Sequence, residues 1–135
     1  MRGCLDPIRI LLVDDFEPWR QYVRSLLQTR AEFCVVAEVS DGLAAVQKAQ
    51  ELSPDLILLD IGLPSLDGMQ AANCIRQVAP QAKIIFVSNN SDSEMRQAAL
   101  RSKAKGYVLK TNAAKELLPA IDAAMSDRTD RSDAE

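Results

Sequence analysis

Five short apolar runs divide this chain, and the stretches between them carry apolar residues at helical spacing. Ile8–Arg9–Ile10–Leu11–Leu12–Val13 predicts a strand ending in Asp14–Asp15, and Phe33–Val39 predicts a second, closing in Ser40–Asp41–Gly42. Leu56–Ile57–Leu58–Leu59 runs straight into Asp60, after which Ile61–Gly62–Leu63–Pro64 turns the chain away. Lys83–Ile84–Ile85–Phe86–Val87 ends in Ser88, and Gly106–Tyr107–Val108–Leu109 ends in Lys110. A run that is apolar at every residue, not at alternate ones, fits a strand covered on both faces.

The first intervening stretch places Trp19, Tyr22, Val23, Leu26 and Leu27 at i, i+3, i+4, i+7 and i+8, one helical face. Pro18 suits its first turn, where a missing N–H costs nothing. Asp41 is placed to cap a second helix with Ala45, Val46, Ala49 and Leu52 inward, stopping before Ser53–Pro54. Met69, Ala72, Ile75 and Val78 mark a third helix, ended by Pro80. Ser91 and Glu94 have capping-box spacing for a fourth, whose inner face is thin: Met95, Ala98 and Ala99. So thin a face suits a segment that shifts. The last helix carries Leu117, Leu118, Ile121 and Met125; with Pro119 inside it, either its first turn is irregular and the regular helix starts near Leu117, or it bends there. From Ser126 on there is almost nothing to bury, so residues 126–135 read as a polar tail or linker.

Strand and helix alternate five times. This predicts an α/β fold: a parallel sheet with helices on both faces, in the doubly wound, flavodoxin-like order 2-1-3-4-5. At 135 residues and 47 % hydrophobic content the chain is one domain with one sheet-centred core. A net charge of −3 argues against broad nucleic-acid binding by this domain. No apolar run approaches a membrane span or a signal peptide, which predicts a soluble protein. Cys4, Cys34 and Cys74 are odd in number and widely spaced, so neither a disulfide framework nor a zinc site is expected and the reduced cytoplasm fits. Cys34, in an apolar run, reads as a small buried hydrophobe. The complete lack of histidine removes His-based metal sites and triads; a phosphoryl group used here must come from elsewhere.

The chemistry collects at strand ends. Asp14–Asp15, Asp60, Ser88 and Lys110 follow four of the five strands and so fall along one edge of a parallel sheet, where neighbouring strands are about 5 Å apart. Each alone is ordinary turn or cap chemistry; four together are not. Two carboxylates 4 Å apart repel by about 4 kcal/mol at an effective dielectric near 20. Three in one pocket call for a cation or shifted pKa values; a hard divalent cation such as Mg²⁺ answers this, with Lys110 as a second positive charge. Asp60 is then a carboxylate nucleophile for a phosphoryl group, with the Ser88 hydroxyl as a donor to it.

This set, with Tyr107 three residues before Lys110, resembles the receiver domain of two-component response regulators. Leu58–Leu59–Asp60–Ile61–Gly62–Leu63–Pro64 looks like that family's acceptor loop and Gly106–Lys110 like its last strand. The resemblance covers roughly Ile8 to Ala124 and assigns residues 1–125 to the receiver domain. It implies that Asp60 accepts phosphate from a sensor histidine kinase or a small phosphodonor, with Ser88 and Lys110 binding the phosphoryl group. It implies Mg²⁺ on Asp15 directly, on Asp14 through water, and on Asp60 and the Gly62 carbonyl. Ser88 and Tyr107 are the switch pair, Tyr107 swinging inward as Ser88 moves, and residues 92–125 are the surface that changes and is read by partners. Gly62, Asn89 and Asn90 occupy positions that tune reaction rates. Thr111 after Lys110, with Lys115–Pro119, looks like the LuxR-type branch, whose full-length members add a DNA-binding domain that is outside these residues and control transcription. The expected protein is a switch and not an enzyme beyond its own phosphotransfer and autodephosphorylation; a homodimer is compatible with it.

Three other readings compete with this one. A haloacid-dehalogenase-like phosphatase needs a second Asp two residues after its nucleophile, where Phe16 and Glu17 stand. A flavodoxin needs a phosphate loop after the first strand, and an acidic loop repels phosphate. A phosphate-independent dimerisation or docking module keeping the fold has Asn89 as its support.

Overall fold

The computed structural model describes residues 7–89 and 92–134, with side chains as far as Ser126. Strands β1 (Ile8–Val13), β2 (Phe33–Val39), β3 (Leu56–Asp60), β4 (Lys83–Ser88) and β5 (Gly106–Leu109) alternate with helices α1 (Glu17–Leu27), α2 (Gly42–Leu52), α3 (Gly68–Val78), α4 (Ser93–Arg101) and α5 (Ala113–Ala134). The sheet order is β2-β1-β3-β4-β5 and every pair is parallel, as the alternating pattern predicts.

The strands sort their side chains by the two-residue period. Leu11, Val13, Ile57, Leu59, Phe86 and Tyr107 face α2, α3 and α4 through Ala45, Ala49, Ala72, Ile75 and Ala99. Ile10, Leu12, Leu56, Leu58, Ile85, Val87 and Val108 face α1 and α5 through Val23, Leu27, Leu117 and Ile121. All five residues of β3 are buried, which is what a continuous apolar run at the centre of a two-faced sheet requires.

Local chemistry sets the boundaries. Pro18 lies in the first turn of α1. Asp41 caps α2, accepting from the Ala44 N–H at 2.8 Å, and Ser53 ends that helix in the left-handed region at φ 47°. Asp41→Ala should lower stability by about 1 kcal/mol, read from the urea unfolding midpoint. Asp67 and Gln70 form a full capping box on α3, the Asp side chain accepting from the Gln70 N–H and the Gln side chain from the Asp67 N–H. The described cap of α4 is Asp92, accepting from the Glu94 N–H, one residue later than expected; Ser91 lies outside the described residues. A 3-10 turn, Lys110–Asn112, leads into α5, whose regular helix starts at Ala113 and passes through Pro119, so of the two alternatives the late start near Leu117 fails. The α5 backbone stays helical to Ala134, through the stretch expected to be tail or linker.

Two burial expectations fail. Cys34 is exposed, because β2 is an edge strand and Cys34 lies near its start, where it pairs with Arg9 on β1 alone. Tyr22 is 39 % exposed: it stands at the margin of the α1 stripe and leans its ring on Trp19 instead of entering the core. Cys4 lies outside the described residues.

Candidate functional site

The register brings the strand-end residues together. Val13 pairs with Leu59, so the next residues, Asp14 and Asp60, stand side by side. Asp60 pairs with Val87 and Ser88 with Leu109, which sets Ser88 and Lys110 one step further along the same edge. Asp14, Asp60 and Ser88 are the buried polar residues among those described, in a core otherwise apolar. Asp15 is exposed at the rim.

One carboxylate oxygen from each of Asp14, Asp15 and Asp60 lies within 4.8 Å of the other two. Lys110 Nζ is 2.6 Å from Asp14 Oδ2 and 4.0 Å from Asp60 Oδ2, so the ammonium sits on the Asp14 side. The Phe16 N–H donates to Asp14 Oδ1 at 2.9 Å and the Gly62 N–H to Asp60 Oδ1 at 3.3 Å. Asp14 Oδ2 is buried and makes no hydrogen bond, its ion pair with Lys110 aside. Burial, then the neighbouring Asp14 charge, push the Asp60 carboxyl above its ordinary range, against Lys110 and the Gly62 N–H, which pull it down. With three acids and one lysine, the pocket has a surplus of negative charge and only oxygen donors. That is the donor set of a hard divalent cation.

The loop after β3, residues 61–67, is fixed by its own backbone. The Gly68 N–H donates to the Ile61 carbonyl at 2.7 Å, the Leu66 N–H to Pro64 at 2.8 Å, and Gly42 of α2 to Pro64 at 3.3 Å. Ser65 takes φ 64°. Ile61 and Leu63 are buried and Gly62 points outward, where a side chain would meet nothing within 4 Å. Asn89 is exposed beside Ser88; Asn90 lies outside the described residues. Tyr107 is already buried, with the Arg96 guanidinium of α4 5.8 Å from its ring centroid.

Two neighbours of the site have no signal of their own in the sequence. Arg20 of α1 donates to the Asp14 carbonyl at 2.5 Å and pairs with Glu38 of β2 at 3.0 Å; Arg24 also pairs with Glu38. Trp19 places its ring 5.2 Å from Lys110 Nζ. In the sequence Trp19 is one member of an apolar stripe, and Arg20 is one of many charged helix residues.

The model of the response regulator receiver domain family matches residues 10–122. The chain is 36 % identical over 115 residues to the response regulator protein VraR of Staphylococcus saprophyticus, covering 85 % of this chain and 55 % of that protein. It is 36 % identical over 114 residues to VraR of Staphylococcus aureus, covering 84 % and 54 %. It thus spans about half the length of these relatives. Among solved structures, a LuxR-family two-component response regulator from Aurantimonas superposes with a TM-score of 0.85 at 34 % identity, covering 90 % of this chain and 87 % of that one. The receiver domain of NarL from Mycobacterium tuberculosis gives 0.82 at 29 %, covering 89 % and 98 %. Among the described residues no helix is long and apolar enough to cross a membrane. The chain belongs to the response regulator receiver domain family of two-component systems.

Proposed function

We propose that this domain is a phosphorylation-driven switch with Asp60 as the acceptor. The observation that carries it is a buried carboxylate at the end of the central strand, with two more acids and a lysine drawn around it. An Asp60 carboxylate oxygen forms a bond to phosphorus as the bond from phosphorus to the donor breaks, and the donor leaves with its electron pair. Lys110 and the Ser88 hydroxyl receive the charge on the phosphoryl oxygens. Asp14, Asp15 and Asp60 would hold Mg²⁺, with the Gly62 carbonyl as a further ligand; three carboxylate oxygens within 4.8 Å of one another, met by a single lysine, support that assignment. Such a cation, when bound, offsets the negative charge that makes phosphate entry unfavourable.

With no histidine in the chain, the donor is external: a sensor histidine kinase or a small acyl phosphate. Occupancy of Asp60 then changes the surface from Asp92 to Met125. The likeness to a DNA-binding response regulator of the LuxR family from Staphylococcus aureus supports control of transcription through a DNA-binding partner domain. Gly62 stands two residues after the acceptor and Asn89 and Asn90 directly after Ser88 in the sequence, and all three are assigned to setting the lifetime of the modified state. Gly62 offers no side chain to screen Asp60 from water.

The test is intact mass after incubation with acetyl phosphate. One phosphoryl group should appear on the native chain with Mg²⁺, none with a chelator, and none on Asp60→Asn. A native chain as inert as that variant would remove the proposal.

A further inference from the structure

Lys110 stands between two competing neighbours. Its ammonium touches Asp14, lies 5.2 Å from the centre of the Trp19 ring and remains 4.0 Å from Asp60, while its side chain is only 12 % exposed. A cation within about 6 Å of an indole centroid is attracted to the ring, most strongly where water is excluded. Trp19 is itself fixed: it lies in the first turn of α1, packs on Tyr22 at 5.3 Å, and lines a small hollow with Asp14, Arg20, Val23, Leu58 and Val87. The next residue, Arg20, ties the same turn to the Asp14 carbonyl.

We propose that Trp19 is a positioning residue for Lys110, holding the ammonium on the Asp14 side of the pocket and opposing its transfer to a group on Asp60. The inference rests on the acceptor role of Asp60. A phosphoryl group there recruits Lys110 across the remaining gap, and the ammonium must then leave the ring. The indole stabilises the unmodified state selectively, so removing it lowers the threshold for modification. An aliphatic residue of similar reach fills the space but offers no π face.

The experiment compares native, Trp19→Leu and Trp19→Phe chains, titrated with beryllofluoride as the phosphoryl mimic at saturating Mg²⁺ and followed by fluorine NMR of the bound signal. Trp19→Leu should reach half-occupancy at a concentration lower by about 2- to 30-fold, with Trp19→Phe in between. Thermal unfolding of each variant establishes that it is folded. The ε-methylene protons of Lys110, shifted upfield by the indole in the native chain, should return to ordinary positions in Trp19→Leu. Equal half-occupancy in all three, or weaker binding by Trp19→Leu, overturns the inference. Failure of the native chain to bind the mimic at all strikes the acceptor role instead, so the two failures are distinguishable. The chain has one tryptophan, so emission from the native protein comes from this ring: it should change on binding the mimic, and an unchanged spectrum also counts against the inference.

Discussion

Gly68→Ala should lower stability by about 2–3 kcal/mol and impair phosphoryl uptake in the fraction that folds. A Cβ at Gly68 would lie 2.3 Å from the Asp60 carbonyl oxygen and 2.6 Å from the Ile61 Cα. These are backbone atoms of the acceptor strand and the residue after it, and no rotamer change relieves the overlap. Either α3 backs away and opens the apolar layer over Ala71, Ala72 and Ile75, or the end of β3 shifts and carries Asp60 out of register with Asp14. Gly42→Ala meets a shorter approach, 1.8 Å to the Leu66 carbonyl, but Leu66 belongs to the loop and not to the strand. Urea unfolding and mass-detected phosphoryl uptake should therefore separate the two. Both variants lose stability, and the Gly68 variant loses more uptake for a given loss. Equal uptake by the Gly68 variant and the native chain would show that Asp60 tolerates movement of the helix beneath it.

Asp60→Asn should make the metal-free protein more stable at neutral pH, by an amount on the order of 1 kcal/mol, while ending its capacity to be modified. The folded chain holds the Asp60 carboxyl above the ordinary value of 3.8 through burial and the neighbouring Asp14. A carboxyl whose folded pKa exceeds its unfolded one contributes fully below the unfolded value. That contribution is lost as pH rises through the folded pKa. The gap between variant and native should thus be small below pH 3.8, widen as pH rises through the elevated folded value, and then level off. Saturating Mg²⁺ should narrow it by meeting the charge the native pocket carries unbalanced. Thermal unfolding across pH, with and without Mg²⁺, checks both statements. A gap that does not vary with pH would mean that Asp60 ionisation is not its source.

The strands and their order were legible because each run is apolar on successive residues, a pattern that demands cover on both faces. The polar residue that ends each run marks where cover stops, so Asp14, Asp60 and Ser88 could be placed on one edge before any coordinates. The register, which decides that Asp14 and Asp60 are neighbours, depends on turns that the pattern does not encode. Cys34 misled because an edge strand keeps the same composition as a central one while losing a neighbour. Tyr22 misled because helical spacing marks a stripe but not its margin. The described cap of α4 falls one residue later because the Asp92 carboxylate reaches the Glu94 N–H. Trp19 and Arg20 were invisible as site residues because their roles depend on Lys110 and on Glu38 of β2 coming within reach of α1, a tertiary fact.

Helix α5 is long for the sheet it packs on. At 22 residues it is about 33 Å long, against about 17 Å for the five-residue central strand. Its root is clamped to the sheet by Leu117, Ile121 and Met125, directly after Lys110 and its 3-10 turn. A small tilt at that root sweeps a wider arc at the far tip. If Asp60 accepts a phosphoryl group as proposed, a lysine drawn toward it would act at the start of a helix whose far end lies about 30 Å away, with no rearrangement of the β-layer itself.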